Sequence, residues 1–323
     1  MSVLAPWQQR AHDQAMATLA AGRLGHALLF SGPAGLGKRA VVERLAAYVL
    51  SGGEATAEAR NRPLIAAGTH PDLHVVSFVP NKEGTRLRTE IVIEQIRELG
   101  QQLALTPQYG QAQVAIIDPA DALNTAGCNA LLKTLEEPAP GRYLWLVSAR
   151  PGRLPATIRS RCQRLEFRLP PRDEALGWLQ GQGHAPAAAA EALEAAQGNP
   201  GLAGEWLRGD GLALRRDVVA DLAAMEAGRA DPLEAALRWT GDEQAGERLR
   251  HAAEHALERV RGQAGDGGLT DPDRLHKLAT WFDAANRARE LLRSTVRADL
   301  VMADLLLAWR DASRPQAGKG DNR

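Results

Sequence analysis

Cysteine is nearly absent from this sequence. Cys128 and Cys162 are the only two among 323 residues, too few for the disulfide framework of a small secreted protein or for a four-cysteine metal site. No apolar run approaches the roughly 18 residues of a membrane span, and the first residues lack the charged and then apolar order of a signal peptide. We therefore expect a cytoplasmic protein that makes no contact with a membrane.

An excess of charge of either sign is also missing. Lysine and arginine total 39, as do aspartate and glutamate, so no overall field draws the chain to nucleic acid or to a lipid surface. Any contact with DNA would have to come from a local patch or through partner proteins. With 323 residues, of which 45% are hydrophobic, the chain is long enough for two or three globular domains.

Short apolar runs alternate with helical patterns in the first half of the chain only. Strands are predicted at residues 26–30, 72–78, 113–118 and 143–149, with helices at 41–50, 91–103 and from Asn124 to Pro138. This alternation predicts a parallel sheet covered by helices. After about residue 170 only helical patterns remain. We predict an α/β domain at 1–168, a small helical domain at 169–208, a second helical domain at 209–312 and a disordered tail at 313–323.

The stretch SGPAGLGKRA matches most of the phosphate-binding pattern G-x-x-x-x-G-K-[ST]. Gly32, Gly37 and Lys38 fill the fixed positions, and Gly35 lies between them. Glycines let the backbone approach a phosphate closely, and the following helix offers its positive N-terminal end. A predicted strand, this loop and a predicted helix follow one another in the order that a P-loop requires. The alternative is a glycine-rich turn of no catalytic meaning.

Two parts needed for hydrolysis of a nucleotide are missing from this pattern. Arg39 stands where a Ser or Thr would bind Mg²⁺, and Pro119 follows the second-strand acid Asp118 where a water-activating Glu is expected. Asp121 lies one helical turn further along the chain. We therefore expect no ATP hydrolysis by this chain and no required cofactor, although the retained Lys38 leaves weak, metal-free binding of ATP or phosphate open.

Three motifs resemble the bacterial clamp-loader branch of the AAA+ proteins. They are NALLKTLEEP at 129–138, LPATIRSRCQRLEF at 154–167 and GNPG at 198–201. The stretches PWQQ, AGRLGHALL and GTHPDLHVV are similar to the delta-prime subunits of DNA polymerase III rather than to the ATP-hydrolysing gamma/tau subunits. The likeness covers about residues 6–208. Beyond it, only the helical character and the stretch LLLAW are matched.

The resemblance implies a P-loop AAA+ domain, a lid at 169–208 and an all-α collar at 209–312. It also implies a non-hydrolysing member of a five-subunit ring, with gamma/tau and delta subunits as partners and with the sliding clamp and primer-template DNA reached through the complex. The isolated chain is expected to be a monomer. Because the ring belongs to a DNA-directed DNA polymerase, a nucleotidyltransferase, whether this chain counts as an enzyme is left open.

The same resemblance assigns a catalytic residue. Ser160, Arg161 and Cys162 match the SRC motif, whose arginine reaches into the ATP site of a neighbouring subunit as an arginine finger. The alternative for Arg161 is a surface arginine or one paired at a domain boundary. The alternative for the whole chain is an active ATPase motor of the gamma/tau type, which the residues at positions 39 and 119 disfavour.

Some features of the family are missing here. The stretch at 51–70 contains no cysteine, so we expect no zinc module and a mobile loop in its place. A nucleotide-sensing arginine would fall near Gly201, where none exists, and Ala149 takes a position that is polar in active relatives. HAAEH at 251–255 matches the H-x-x-E-H pattern of some zinc hydrolases, but it lies in an amphipathic helix with no evident third ligand.

Overall fold

The computed structural model describes residues 3–80, 84, 88–110, 112–265, 272–292 and 296–313. The chain forms two compact units, Met1–Glu205 and Trp206–Arg323. The border between them falls close to the end of the predicted lid at 169–208. The finer division into an α/β domain, a lid and a collar stays a prediction, and most of the tail predicted to be disordered, from 314 onward, lies outside the described residues.

Five parallel strands form the sheet of the first unit: β1 Ala27–Ser31, β2 Leu73–Val76, β3 Gln113–Ile117, β4 Arg142–Ser148 and β5 Gln163–Glu166. Their order is β2-β3-β4-β1-β5, and all four pairings are parallel. Every residue of β1 and β3 is buried, as expected for parallel strands covered on both faces. The predicted parallel sheet and the four predicted strands are confirmed.

Helices cover both faces of this sheet. Those of the first unit are α1 Pro6–Ala20, α2 Lys38–Leu50, α3 Ala55–Ala66, α4 Ile93–Ala104, α5 Thr125–Glu136, α6 Ala156–Arg159, α7 Arg172–Gly181, α8 Pro186–Ala195 and α9 Pro200–Arg208, which crosses the border between the units. Leu28 and Phe30 of β1 face a core shared with α1 and α2, whereas Leu29 faces a core shared with α4 and α5. Successive side chains of a strand point to opposite faces, so β1 contributes to both cores.

Two elements of the first unit differ from the sequence-based predictions. The fifth strand, β5, was not predicted, because Leu165 is its only buried residue and its other three residues are polar and exposed. The expected mobile loop at 51–70 is wrong: most of this stretch forms helix α3. Only Asn61 and Ile65 of α3 are buried, so the sequence carries no apolar stripe that would have predicted a helix.

The second unit contains helices only among its described residues. They are α10 Gly211–Glu226, α11 Pro232–Trp239, α12 Ala245–Gly265, α13 Pro272–Leu291 and α14 Ala298–Ser313. Trp239, Trp281 and Trp309 fill the core. Each indole N–H is satisfied there, by the carboxylate of Asp221 at 2.7 Å or by a backbone carbonyl. The predicted all-helical C-terminal region is confirmed, and no helix in the described ranges is both long and apolar enough to cross a membrane.

The HAAEH stretch lies in α12, with both histidines turned toward the core. His251 is fully buried against the ring of Trp206, and His255 packs near Trp309. Burial lowers the pKa of His255 to about 4, and the nearby guanidinium groups of Arg259 and Arg215 act in the same direction. Over the described part of the chain, no group of three or more His, Cys, Asp or Glu residues could hold a metal ion.

His255 makes the stability of this unit depend on pH. Its folded pKa of about 4 lies below the ordinary histidine pKa of 6.5, so between these two pH values the unfolded chain binds a proton that the folded chain excludes. We expect the free energy of unfolding to fall by about 2–3 kcal/mol between pH 7 and pH 4.5 through this group alone. Urea unfolding followed by circular dichroism, for the native chain and for His255→Gln, isolates the effect. An equal loss in both proteins would contradict it.

Candidate functional site

The residues that match the phosphate-loop pattern connect a strand to a helix, as the sequence predicts. β1 ends at Ser31 and α2 begins at Lys38, with the glycine-rich residues between them at the carboxyl edge of the sheet. Gly32 has φ +140°, and a Cβ added there would meet the carbonyl oxygen of Phe167 at 2.2 Å. Glycine is therefore required at this position by the fold itself, whether or not a phosphate binds.

The side chain of Lys38 is turned back onto its own loop. Its ammonium donates hydrogen bonds of 2.7 Å to the carbonyl oxygens of Gly32 and Pro33, and the residue is only 7% exposed. Burial lowers the pKa of Lys38 to about 8, and the carboxylates of Asp118 and Asp121 oppose this shift. A buried ammonium must be hydrogen-bonded or paired, and the loop carbonyls meet that need here.

Side chains from other elements also bind carbonyls of this loop. The indole N–H of Trp7 and the amide of Gln8 each donate to the carbonyl of Leu36 at 3.1 Å. The amide of Asn199, from the GNPG motif, donates to the carbonyl of Ala34 at 2.8 Å. Together with Lys38, these residues hold the loop from the side of α1 and from the start of α9.

The start of α9 lies directly against the loop. A Cβ added to Gly201 would fall 1.7 Å from the carbonyl oxygen of Gly35, a distance that no side chain can adopt. The two backbones touch because position 201 is glycine, whereas glycine at position 35 is favoured by its φ of +81°. This contact gives a physical reason for the missing sensor arginine: no side chain fits at position 201 unless the loop moves.

Arg39 lies beside the second-strand acid. Its Nε is 2.6 Å from Oε1 of Glu43, and its Nη1 is 3.6 Å from Oδ2 of Asp118. Burial raises the pKa of Asp118, while the positive charges of Arg39 and Lys38 act to lower it. In a working site of this kind Mg²⁺ would supply the positive charge next to such an acid. Here a guanidinium supplies it, and a second cation would be repelled.

Asp121 is bound by neighbouring groups and is not free to act as a base. It accepts hydrogen bonds from the hydroxyl of Ser148 at 2.8 Å and from the backbone N–H of Ala149 at 3.0 Å. Burial acts to raise the pKa of Asp121, but the hydrogen bonds from Ser148, Ala149 and Arg150 outweigh it and the pKa is lowered. The carboxylate therefore stabilises the end of β4.

Arg161 lies at the opposite edge of the sheet from the phosphate loop. It precedes β5, which begins at Gln163, whereas the loop follows β1, and the two strands are parallel neighbours. A residue before a strand and a residue after its parallel neighbour lie at opposite edges. Strands of four to five residues separate these edges by about 13–17 Å at roughly 3.3 Å per residue.

The SRC motif presents its arginine outward and anchors the two flanking residues. Arg161 is 38% exposed, with Nη2 2.6 Å from Oε1 of Glu136 and Nη1 donating to the carbonyl of Thr157 at 3.0 Å. Ser160 also bonds the carbonyl of Thr157, and Cys162 is buried in the core. Burial raises the pKa of Cys162 to about 11, against the effect of Arg164, so its thiol is unreactive.

The structure thus separates the predicted site residues into two groups. Gly32, Gly35, Gly37, Lys38 and Asp118 meet at the carboxyl edge, and Ser160, Arg161 and Cys162 lie at the amino edge. Sequence reasoning missed the roles of Trp7, Gln8 and Asn199. The PWQQ and GNPG motifs marked these positions, but no spacing or periodicity connects them with a loop up to 165 residues away.

Restoring the missing hydroxyl should not restore ATP turnover. For Arg39→Thr we expect no Mg²⁺-dependent phosphate release from ATP, because Lys38 still binds the loop carbonyls, α9 still touches the loop, and Pro119 still offers no base. Phosphate release by the purified chain at millimolar Mg-ATP measures this. Any signal that persists in Arg39→Thr combined with Lys38→Ala reports a contaminant, and turnover that depends on Lys38 would refute the expectation.

A family model and two curated relatives that match this chain all describe subunits of DNA polymerase III. A family model described as DNA polymerase III, delta subunit, matches residues 7–171. The chain is 38% identical to DNA polymerase III subunit delta-prime of Pseudomonas aeruginosa over 228 residues, or 68% of this chain and 66% of that protein. It is 31% identical to the delta-prime subunit of Escherichia coli over 322 residues, which cover 94% of both chains.

A solved structure is similar in fold. A DNA polymerase III gamma subunit-related protein of Thermotoga maritima superposes with a TM-score of 0.51 at 16% identity, covering 93% of this chain and 99% of that one. At this identity the likeness concerns the fold alone.

Proposed function

Because this chain belongs to the family of DNA polymerase III delta-prime subunits, within the clamp loaders, we propose that it is a non-hydrolysing clamp-loader subunit that supplies Arg161 to the ATP site of a neighbour. Its partners are gamma/tau and delta subunits. The assembled ring loads a sliding clamp onto primer-template DNA in the cytoplasm. The isolated chain is a monomer and requires neither zinc nor another cofactor.

The position of Arg161 is the observation that carries this proposal. The guanidinium is exposed at the amino edge of the sheet, while the chain's own phosphate loop lies at the carboxyl edge. Arg161 therefore cannot reach a nucleotide bound by its own loop. A phosphate that it contacts must be held by another subunit, which is the arrangement of an arginine finger acting in trans.

The chemistry suits an arginine at this position. Its planar fork of N–H donors matches the oxygens of a phosphate and can bind two of them at once. In phosphoryl transfer, a guanidinium supplied in trans stabilises the charge that develops on the γ-phosphate. The chain can in this way take part in ATP hydrolysis without a working site of its own.

An active motor of the gamma/tau type is the alternative function. It would need Mg²⁺ beside Asp118 and a lysine free to meet the phosphates, but Arg39 stands beside that acid and Lys38 is bound by loop carbonyls. The likeness to the gamma subunit-related structure supports the fold and not the activity. Weak binding of phosphate or ATP without a metal remains a separate proposal, and it requires Lys38 to leave its carbonyl partners.

The helical unit offers a surface for assembly with partner subunits. Leu233 and Leu237 of α11 are 51% and 63% exposed, and their i,i+4 spacing places them on one face of the helix. The opposite face of α11 packs into the core through Ala235 and Trp239. Exposed leucines in one stripe favour burial against another protein, and a partner subunit in the ring is the occupant that we propose.

Removing the finger tests the proposed function directly. Arg161→Ala should leave assembly of the loader intact and slow hydrolysis at the site facing this chain by roughly 10³-fold or more. The total rate of ATP hydrolysis by the loader then falls by the fraction that this site contributes. The rate of clamp loading falls further, because loading needs the whole ring. The exposed Arg164, replaced by Ala, is the matched control. Unchanged turnover and loading in Arg161→Ala would eliminate the finger role.

The assembly surface can be tested separately. Leu233→Ser combined with Leu237→Ser should weaken incorporation into the ring by at least about tenfold, because each leucine loses on the order of 1 kcal/mol of apolar burial. Native mass measurement of mixtures with gamma/tau and delta subunits follows incorporation. Leu169→Ser, which changes a leucine exposed in the first unit, serves as the control. Full incorporation of the double variant would show that α11 faces solvent in the ring.

A further inference from the structure

The guanidinium of Arg161 is held from two sides before any partner arrives. Its Nη2 lies 2.6 Å from a carboxylate oxygen of Glu136, and its Nη1 donates to the carbonyl of Thr157 at 3.0 Å. Thr157 belongs to the short helix α6, which leads into the SRC motif, whereas Glu136 is the last residue of α5. Two separate elements therefore contact the guanidinium and bias its orientation.

Helix α5, which carries Glu136 as its last residue, is capped at its start and anchored in the core. Its first turn is capped by Asn124, whose side chain accepts a hydrogen bond of 2.8 Å from the N–H of Gly127. Leu131 and Leu135 are buried and anchor the helix in the core. The negative end of the helix dipole lies at its C-terminus, beside Arg161, and adds to the attraction of a cation there.

We infer that Glu136 is a positioning residue, which orients Arg161 toward the γ-phosphate of ATP bound by the neighbouring subunit. This inference rests on the proposed function. A free arginine side chain loses much rotational freedom when it is fixed on a phosphate. In this chain the ordering takes place within the folded subunit, so the finger meets the nucleotide in a prepared orientation.

The contacts leave the finger able to act. A guanidinium has five N–H donors. The hydrogen bond to the carbonyl of Thr157 uses one of them, and Glu136 forms an ion pair with Nη2. Arg161 keeps 38% of its side-chain surface exposed, so phosphate oxygens can still reach the guanidinium.

The alternative, that Glu136 withholds the finger until assembly, is disfavoured by the exposure of the pair. Glu136 is 48% exposed, and ion pairs near the surface are weak because water screens them. A γ-phosphate carries more negative charge than one carboxylate, so it would displace Glu136 easily if the two competed. A weak contact of this kind cannot block the finger, but it can bias its orientation.

The test uses the assembled loader, in which this chain is combined with gamma/tau and delta subunits. Rapid quench follows the first turnover of ATP with clamp and primed DNA present, and the phase that Arg161→Ala slows identifies the relevant site. Glu136→Gln should slow this phase by about two- to fivefold, the effect expected of an exposed ion pair. The affinity for ATP should not change, because Arg161 acts on the transition state.

The neighbouring carboxylate provides a matched control. Glu137 is exposed, and we expect Glu137→Gln to react at the native rate. Glu136→Asp, which keeps the charge on a shorter side chain, should recover part of the rate lost in Glu136→Gln. Thermal unfolding of the two glutamine variants and of the native chain should occur at the same temperature.

A second background separates positioning from a general structural role. In Arg161→Ala, adding Glu136→Gln should cause no further slowing, because the glutamate acts only through the guanidinium. Equal slowing in both backgrounds would overturn the inference, as would a native rate for Glu136→Gln beside a slow Arg161→Ala, and both results leave the proposed function standing. A native first turnover in Arg161→Ala would refute the proposed function and, with it, this inference.

Discussion

The buried ammonium of Lys38 is the charge around which the phosphate loop is organised. A lysine with little access to water needs partners, and in this chain the carbonyls of Gly32 and Pro33 provide them. Arg39 meanwhile lies next to Asp118, with Nη1 3.6 Å from Oδ2. Within the fold, Gly32 and Lys38 of the phosphate-loop pattern both stabilise the conformation of the loop.

The parallel sheet places the phosphate loop and the SRC motif at opposite edges. Since β1 and β5 run in the same direction, the connection after β1 and the SRC motif before β5 cannot meet within one chain. The two features thus serve different purposes, the first in stability and the second, as we propose, in the chemistry of a neighbour. Helix α5 joins the two edges, with Asn124 at its start and Glu136 at its end.

Local patterns in the sequence were sufficient for much of this fold and for the position of the phosphate-loop pattern between β1 and α2. Apolar runs predicted four strands, whereas the absence of metal-dependent chemistry, inferred from the residues at positions 39 and 119, stays a prediction. The strand β5 and the helix α3 were missed because each buries only one or two side chains. The hydrogen bonds of Lys38 to the loop carbonyls and of Asn199 to Ala34 form only when tertiary packing brings these groups together. No local pattern in the sequence predicts them.

The contact between Gly201 and Gly35 has an evolutionary consequence. Its two backbones are so close that even a methyl group at position 201 would collide with the loop. A relative that shares this backbone contact must keep glycine at this position, and an arginine there requires the loop or the start of α9 to move. Steric exclusion at the backbone, and not the chemistry of the site, then restricts the residue at 201.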